Sequence, residues 1–363
     1  MHLPGLDHLR TLAIILVFLY HYGRLFPHPQ WVNTISKFGW TGVDLFFVLS
    51  GYLIASQLFA TLTATKKVFI KTFYLKRFFR IVPAYLVVVG IYFLFPYVHE
   101  REGLAPLWKY LTFTQNLGLD LRTQGTFSHA WSLCIEEQFY LLLPLLLTVL
   151  LRFRAVQKGV WLLLLLFLAG LFIRYHSYQH FVAPHEEDET FGMLWYKIIY
   201  YPTWCRLDGL LTGVGLAALC QYRPQLAQRF LKRGNVLIAI SIIVLTAAYF
   251  LCADETSVEA SVAGFPLVAI GYGLTVAGAI SPSSFLFTLK SRLTETIALL
   301  SYAVYLTHKF IIHITQDLAG RTGIDEESNA MFLLCILTTL AAAFLLNRTI
   351  DKPFLALRKR ILK

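Results

Sequence analysis

The sequence predicts an all-α integral membrane protein in which about ten transmembrane helices form a single bundle. Hydrophobic residues make up 57% of the 363-residue chain, above the roughly 45–50% typical of soluble domains, and the mean hydropathy is +0.60. A helix needs about 20 predominantly apolar residues to cross a bilayer. Apolar runs near that length occupy residues 6–26, 39–62, 79–98, 132–151, 159–175, 198–220, 235–252, 262–280, 297–318 and 330–347.

The charge distribution predicts the orientation of these helices, because Lys and Arg concentrate in cytoplasmic loops. With the N-terminus in the cytoplasm, basic residues fill the inner links and the tail, at 66–80, 152–158, 223–233, 290–292 and 352–363. The outer links hold the acidic clusters HEEDE (185–189), ADE (253–255) and DEE (325–327). We therefore expect an even number of spans with both termini cytoplasmic. Attraction to the anionic inner leaflet accounts for the net charge of +11 without a nucleic-acid partner.

We expect residues 1–363 to form one membrane domain with a short basic cytoplasmic tail at 349–363 and no separate soluble domain. The first apolar run is interpreted as a retained helix, because Arg10 lies within it and no clear cleavage site follows. The five cysteines show no paired spacing, so neither a disulfide framework nor a metal site is predicted.

Ionisable side chains within the apolar runs are the candidate functional residues, since such groups usually face a cavity or a partner. In the first helix, Arg10 and His21 are eleven residues apart. This spacing places them within about 20° of one face and about 16 Å apart along the axis. Asp7 precedes Arg10 by three residues, so the two can pair. Position alone leaves His21 equally open to a packing role and to a functional one.

The second helix opens with FGWTGVDLFFVLSGYLI (38–54) and carries Asp44 at a depth similar to that of His21. A carboxylate beside a histidine fixes its tautomer and raises its basicity, so we expect Asp44 to pair with His21. The alternative role for Asp44 is a helix N-cap.

The segment FYLKRFFRIVPAYL (73–86) carries Arg77 and Arg80 at i,i+3 near the cytoplasmic end of the third helix. Such residues usually serve as positive-inside anchors. Two guanidinium groups on one face would also suit a phosphate group, which they can bind in a forked arrangement.

Four candidate residues follow at the start of the fourth helix, in FSHAWSLCIEEQFYLLLPLL (127–146). Trp131 fits an interfacial aromatic belt. Glu136 and Tyr140 share a face at i,i+4, and we expect at least one of Glu136 and Glu137 to point inward, because two carboxylates facing lipid would be too costly.

Two later segments complete the set of polar candidates. WCRLDGLLTGVG (204–215) contains Arg206, and its Gly209–Gly213 spacing favours close helix packing. SYAVYLTHKF (301–310) places His308 near the middle of the ninth predicted helix.

Together these segments resemble the acyltransferase 3 family of integral membrane acyltransferases. The matching pieces, in the family's order, are LDHLRTLAIILVFLYH, GWTGVDLFFVLSGYLI, FYLKRFFRIVP, HAWSLCIEEQFYLLLP, WCRLDGLLTG, SYAVYLTH and a weaker IDKP. The resemblance implies about ten helices and transfer of an acyl group, commonly acetyl, from cytoplasmic acyl-CoA to an acceptor hydroxyl. The family's acceptors include lipopolysaccharide O-antigens, peptidoglycan, exopolysaccharides, Nod factors and macrolides.

The resemblance also implies roles for matched residues. His21 would be the catalytic histidine, assisted by Asp44 and Arg10, while Arg77 and Arg80 would hold the CoA phosphates. Glu136 is a further catalytic candidate. The candidates for substrate-contacting or structural polar roles are Trp131, Tyr140, Arg206 and His308. We expect a stand-alone form without the C-terminal SGNH hydrolase-like domain that many members carry. The sequence also departs from the family's late E-K-P element, where it has Asp351.

We therefore expect a multi-pass enzyme of the bacterial cytoplasmic membrane, an O-acyltransferase using acetyl-CoA or another acyl-CoA and no metal. Its expected partners are acyl-CoA, a carbohydrate or glycolipid acceptor and membrane lipids; oligomeric state stays open. His21 would act as a general base, or it would carry an acyl-histidine intermediate. The alternative is a transporter or flippase for an acylated or sugar-lipid cargo, although the two matched halves typical of carriers are not visible in the sequence.

Overall fold

The computed structural model describes residues 3–362, and all regular secondary structure within them is helical. The helices are α1 (Pro4–Leu25), α2 (Gln30–Ser36), α3 (Gly42–Thr65), α4 (Ile70–Leu94), α5 (Leu107–Leu111), α6 (Trp131–Arg152), α7 (Gly159–Ser177), α8 (Phe191–Trp195), α9 (Asp208–Tyr222), α10 (Pro224–Leu231), α11 (Gly234–Leu251), α12 (Phe265–Ile280), α13 (Phe285–Thr288), α14 (Arg292–Gly320), α15 (Asn329–Leu346) and α16 (Lys352–Ile361). Short 3₁₀ and π-helical turns extend or connect several of them. The all-α prediction is confirmed.

Eight helical stretches among residues 3–362 are long and apolar enough to cross a membrane. They are Gly39–Thr65, Ile70–Leu94, Ser128–Arg152, Val156–His185, Gly234–Leu251, Ala260–Ile280, Arg292–Gly320 and Asn329–Ile361. Each corresponds to one of the ten predicted spans. The chain is therefore an integral membrane protein with an all-α bundle.

The first predicted span, 6–26, corresponds to α1, whose 22 residues extend about 33 Å at 1.5 Å per residue. It is long enough to cross the hydrocarbon core, but its ionisable side chains keep it out of the eight apolar stretches. α1 packs against α3, α12 and α14, so these side chains lie beside protein on several sides. Its position makes α1 a central element of the bundle.

The sixth predicted span, 198–220, is not one continuous helix. A π-helical turn covers Tyr196–Tyr200 and a 3₁₀ turn covers Thr203–Cys205, and α9 begins only at Asp208. Pro202 lies at the break, where its ring fixes φ and its nitrogen has no hydrogen to donate. Irregular backbone at membrane depth requires partners from the protein itself. Asn116 Nδ2 donates to the Tyr201 carbonyl at 3.1 Å.

Close packing of α3 against α9 depends on glycines, as the Gly209–Gly213 spacing predicts. A β-carbon on Gly213 would lie 2.2 Å from the Val48 carbonyl oxygen, and one on Gly51 would lie 2.2 Å from the Leu210 carbonyl oxygen. Only a residue without a side chain fits at such distances. The two backbones therefore approach each other directly.

Two buried ion pairs join the region around the break to its neighbours. Arg174 of α7 binds Asp208 through two contacts, Nη1 to Oδ2 at 2.7 Å and Nη2 to Oδ1 at 3.1 Å. Arg206 Nη2 lies 3.0 Å from both carboxylate oxygens of Asp44 on α3. Charged side chains at membrane depth are tolerated when they are paired in this way.

The C-terminal tail is helical and docks on the bundle. A π-helical turn, Asn347–Asp351, leads from α15 into α16, and α16 packs against α4. Within the turn, Asn347 Nδ2 donates to the buried Asp351 carboxylate at 3.1 Å. Residues 349–361 of the predicted tail are therefore part of the folded bundle.

Replacing Gly213 by alanine should destabilise the protein, because the added methyl group would overlap the backbone of α3. Overpacking of this kind typically costs about 1–3 kcal/mol, which would lower the thermal unfolding midpoint of the detergent-solubilised protein. Gly215, two residues along α9, is the matched control, since a β-carbon there meets nothing within 4 Å. Equal midpoints for Gly213→Ala and Gly215→Ala would contradict the packing interpretation.

Candidate active site

A cavity of about 130 Å³ lies where the C-terminal half of α1 meets the start of α3, the 3₁₀ turn before α6, and α14. The charge pattern assigns this end of α1 and α3 to the outer side of the membrane. His21, Ser128, His129 and Lys309 contribute to its polar wall. Its aromatic wall is formed by Tyr20, Trp40, Trp131, Tyr196, Tyr200 and Tyr201.

Three histidine rings cluster at this cavity. The ring centroids of His21 and His308 are 5.0 Å apart, those of His129 and His308 are 4.9 Å apart, and those of His21 and His129 are 5.7 Å apart. His21 Nδ1 and His308 Nε2 are 2.9 Å apart, within hydrogen-bond distance. The rings come from α1, the turn before α6, and α14. Sequence reasoning did not select His129, although it begins the matched segment HAWSLCIEEQFYLLLP.

The hydrogen bonds of His308 assign the tautomers of the pair. His308 Nδ1 lies 3.0 Å from the Val304 carbonyl oxygen and 2.9 Å from that of Tyr305. Carbonyl oxygens only accept, so His308 Nδ1 carries the hydrogen and Nε2 of the neutral ring carries the lone pair. His21 must then donate through Nδ1, which leaves the lone pair of His21 on Nε2. A neutral His21 therefore presents a basic nitrogen that this pairing leaves unused.

His129 is held by the same carbonyl of α14. Its Nε2 donates to the Tyr305 carbonyl oxygen at 3.0 Å, while its Nδ1 is buried and has no hydrogen-bond partner. The Tyr305 hydroxyl donates to the His129 carbonyl. These reciprocal bonds fix the turn that carries His129 onto α14.

A buried ion pair lies beside the histidines. Lys309 Nζ is 2.8 Å from Glu100 Oε1, and both side chains are at most 1% exposed. Glu100 Oε1 also accepts from the Phe127 backbone N–H at 3.1 Å. Burial by itself raises the pKa of the Glu100 carboxyl, but the Lys309 ammonium and these hydrogen bonds outweigh it and hold the pKa below its ordinary value. The Glu100 carboxylate therefore favours the ammonium form of Lys309 beside it.

The predicted pairing of Asp44 with His21 is wrong. Both oxygens of Asp44 face Arg206, and Arg206 is enclosed by aromatic rings, with its guanidinium 4.0 Å from the Phe265 centroid and 4.8 Å from that of Tyr200. A buried guanidinium in such a site needs a counter-charge, and Asp44 provides it. The helix N-cap role for Asp44 also fails, because α3 begins two residues earlier, at Gly42.

Trp131 does not lie in an interfacial belt as predicted. It is only 4% exposed, and its ring packs 4.9 Å from Tyr200 and 5.4 Å from Tyr201. Because it also contributes to the cavity wall, Trp131 belongs to the interior of the bundle. A tryptophan at the start of a membrane helix is typical of an interfacial belt, but the side chain of Trp131 faces protein instead of lipid.

Arg10, Glu136 and Tyr140 lie outside the lining of the histidine cavity. The predicted pairing of Arg10 with Asp7 is confirmed, with Nη1 to Oδ1 at 3.1 Å. The predicted i,i+4 contact is also present: Tyr140 donates to Glu136 Oε2 at 2.6 Å, and Ser50 of α3 donates to the same oxygen at 3.0 Å. Glu136 thus faces α3, inside the bundle.

A second cavity, of about 520 Å³, lies at the opposite end, between α3, α4 and α16. Arg77 contributes to its lining and Arg80 does not, so the two arginines do not form the forked clamp that the i,i+3 spacing suggested. Arg77 Nη2 donates to Gln57 Oε1 at 3.1 Å, and its guanidinium lies 5.8 Å from the Tyr140 ring. Arg77 therefore connects this inner cavity with the Glu136–Tyr140 pair.

Within residues 3–362, no group of three or more His, Cys, Asp or Glu side chains is arranged to hold a metal ion. The three histidines do not form such a group because His21 and His308 direct nitrogens at each other and His129 donates to a backbone carbonyl.

Comparisons with known proteins agree with this architecture. The model of a family described as an acyltransferase domain matches residues 3–348. The O-acetyltransferase OatA of Staphylococcus aureus (strain NCTC 8325 / PS 47) is 30% identical over 378 residues, and a putative O-acetyltransferase of strain COL is 28% identical over 371.

Each alignment covers 97% of this chain and 57% of the relative, so the chain spans little more than half the length of the curated relatives it matches. No solved structure matches. Because the family match extends over nearly the whole sequence, the chain belongs to the acyltransferase 3 family of membrane acyltransferases.

Proposed function

We propose that the protein is a membrane O-acyltransferase, and specifically an O-acetyltransferase, that moves an acyl group from cytoplasmic acyl-CoA to a hydroxyl of a cell-surface or lipid-linked glycan. The observation that carries this proposal is the His21–His308 pair, whose tautomers leave a basic nitrogen on His21 at an aromatic cavity. The family membership and the O-acetyltransferase relatives support the reaction class. The bacterial cytoplasmic membrane is the proposed location, since that membrane separates acyl-CoA from surface glycans.

The donor is proposed to bind at the inner cavity, where Arg77 offers a guanidinium to the CoA phosphates. From there, Tyr140, Glu136 and Ser50 form a hydrogen-bonded polar series inside the bundle. The pantetheine arm of CoA carries amide groups that need such partners in a membrane interior. This series therefore supports a route by which the thioester approaches the histidines while the nucleotide stays at the inner face.

In the proposed reaction, the acceptor hydroxyl gives its proton to His21 Nε2 as its oxygen attacks the thioester carbonyl. The tetrahedral intermediate then expels the CoA thiolate, which recovers the proton from His21. His308 accepts from His21 Nδ1–H throughout and so holds the ring in the reactive tautomer. General base catalysis of this kind contributes typically about 10²–10⁴-fold.

An acyl-histidine route would use the same nitrogen as a nucleophile. His21 Nε2 would attack the thioester carbonyl and expel the CoA thiolate, which leaves an acyl-imidazolium. The acceptor hydroxyl would then attack the acyl carbon, its proton would pass to the thiolate, and the neutral imidazole would be released. In either route negative charge develops on the carbonyl oxygen, and the Lys309 ammonium at the cavity wall would stabilise it in this low-dielectric environment.

The acceptor side is proposed from the chemistry of the cavity wall. Sugar rings present C–H faces that pack against aromatic rings and hydroxyls that bind polar groups. The cavity combines both, with a wall of Trp and Tyr rings next to the histidines and Ser128. A glycan end with one hydroxyl directed at His21 fits this arrangement.

The alternative function is transport of an acylated or sugar-lipid cargo. Intramembrane charges and a broken helix also occur in carriers. In this protein, however, the arginines at the break are bound to carboxylates instead of facing a passage. Proteoliposomes containing radiolabelled acetyl-CoA and an added glycan acceptor separate the two: transfer of label and release of CoA indicate the enzyme, whereas glycolipid movement without label transfer indicates the carrier.

Replacing His21 by alanine should lower kcat by about 10²–10⁴-fold, because the proton acceptor is lost. His308→Ala should also lower kcat while leaving KM for acyl-CoA unchanged, because it removes the acceptor that orients His21. His308→Gln should recover part of the activity, since its amide oxygen can accept from His21 Nδ1–H. Initial rates in proteoliposomes at saturating donor measure all three variants.

His313→Ala is the matched control on the same helix, since His313 does not line the cavity. CoA release coupled to acyl transfer that persists in His21→Ala would overturn the mechanism. Equal activity of His308→Ala and His308→Gln would remove the positioning role of His308.

Arg77→Ala should raise KM for acyl-CoA about tenfold, with kcat little changed, because Arg77 is the proposed phosphate ligand. Arg80→Ala should change KM less, because Arg80 does not line the inner cavity. Rates measured over a range of acyl-CoA concentrations test this difference. An unchanged KM in Arg77→Ala would mean that Arg77 does not bind CoA and serves only as a positive-inside anchor.

Asp44→Asn should destabilise the protein by about 3–5 kcal/mol, since it leaves Arg206 buried without its counter-charge. The double variant Asp44→Leu/Arg206→Met should be more stable than Asp44→Asn, because no unpaired charge remains. Thermal unfolding midpoints in detergent provide the measurement. If Asp44→Asn keeps the wild-type midpoint but loses acyl transfer, Asp44 has a direct catalytic role instead.

A further inference from the structure

The inner cavity is lined mostly by cationic side chains from two parts of the chain. Lys76 and Arg77 come from α4, and Arg358 and Lys359 come from α16; Gln57 and Leu362 complete the lining. No acidic residue is among them. At about 520 Å³, the cavity falls within the 300–1,000 Å³ common for small-molecule sites.

We propose that the C-terminal helix α16 supplies half of a phosphate-binding site, in which Arg358 and Lys359 act with Lys76 and Arg77 on the phosphate groups of the acyl-CoA donor. This inference rests on the proposed function, because it takes acyl-CoA as the donor. It adds residues that lie beyond residue 348, where the family match ends.

The hydrogen bonding of Arg77 points to a missing anion. Its Nη2 donates to Gln57, but its Nε is buried without a partner. Arg358 is close enough to Arg77 to interact with it electrostatically, and the two like charges repel. A phosphate in the cavity would remove this repulsion and accept from the unsatisfied donor.

Membrane anchoring alone does not explain the arrangement. Anchoring residues need only reach the lipid headgroups, and Arg360 on the same helix lies outside the cavity lining. Arg358 and Lys359 instead share a cavity with residues of another helix. Convergence of cationic side chains from two elements on one cavity is characteristic of a binding site.

The fold provides a reason for the position of α16. The π-helical turn before it buries Asp351, which is held by Asn347 and lies within electrostatic range of Arg80. In this arrangement Arg77 faces the cavity, and Arg80 helps hold the turn from which α16 starts. Arg80 is therefore a positioning residue. The two arginines at i,i+3 have different partners: Arg77 faces the cavity, and Arg80 interacts with Asp351 in the turn before α16.

Binding of CoA to the full-length protein in phosphatidylcholine nanodiscs tests the proposal. Arg358→Ala/Lys359→Ala should raise Kd for CoA at least tenfold and reduce its salt dependence, while Arg358→Lys should recover part of the affinity. Arg360→Ala, the matched control with the same loss of charge, should stay within twofold of wild type. The thermal unfolding midpoint of the detergent-solubilised double variant should match that of wild type, which shows that the variant is folded.

Two further probes separate the sources of phosphate. Dephospho-CoA, which lacks the 3′-phosphate, should bind more weakly than CoA to the wild type if that phosphate occupies the cavity. The proposal is overturned if the double variant binds CoA with the wild-type Kd in phosphatidylcholine nanodiscs but retains less phosphatidylglycerol than wild type. That result would mean that the cavity binds lipid headgroups.

The experiment also distinguishes the two levels of inference. Wild-type protein that neither binds CoA nor transfers acetyl groups would overturn the proposed function together with the role of α16. Wild-type protein that does both, while the double variant binds CoA with unchanged Kd, would overturn the role of α16 alone.

Discussion

The high cost of an unpaired charge inside a membrane is the constraint on which this structure depends. Three buried cations each have a carboxylate partner: Arg206 with Asp44, Arg174 with Asp208, and Lys309 with Glu100. The first two pairs join α3, α7 and the start of α9, so the broken segment is fixed by charge as well as by glycine packing. The third pair ties the outer loop to α14 next to the histidines. Once these pairs have formed, no carboxylate among them is left for His21.

That outcome explains why a histidine takes the position expected for an aspartate. A neutral His308 can accept from His21 through Nε2 because its own Nδ1–H is bound to backbone carbonyls. A neutral pair requires no counter-ion, so it is less costly to bury than a His–carboxylate pair lacking further hydrogen bonds. A carboxylate in contact with His21 would stabilise its imidazolium form more strongly than His308 does. Glu100 cannot take this role, because Lys309 lies between it and the histidines. The site therefore relies on orientation and tautomer more than on a nearby negative charge.

The sequence predicted those features that depend on neighbouring residues or on composition. Apolar length gave eight of the ten predicted spans as apolar helices, the i−3 spacing gave Asp7–Arg10, the i,i+4 spacing gave Glu136–Tyr140, and the glycine spacing gave the α3–α9 contact. The errors include the break within the predicted span 198–220. They also include contacts between helices that are distant in sequence, such as Asp44 with Arg206 and His21 with His308. Matching depth makes several such partners equally plausible, and only packing selects among them. The docking of α16 on α4 is another long-range contact. The sequence of this helix predicted only a basic tail.

The two cavities divide the chemistry by charge. The inner cavity carries unneutralised positive charge, which suits a multiply charged donor but would be intolerable deeper in the membrane. The outer cavity combines aromatic rings and histidines with Arg101 and with two cations that are already paired, Lys309 with Glu100 and Arg24 with Glu255. Its lining therefore carries less unneutralised charge and offers polar groups to a hydroxyl acceptor. Between them lies a series of hydroxyl and carboxyl groups able to satisfy the amides of a flexible arm. Under the proposed function, only the small, uncharged acyl group changes sides, so neither the nucleotide nor the glycan has to enter the hydrocarbon region. Pairing of the intramembrane charges makes this division stable, because the bundle needs no large opening to accommodate either substrate.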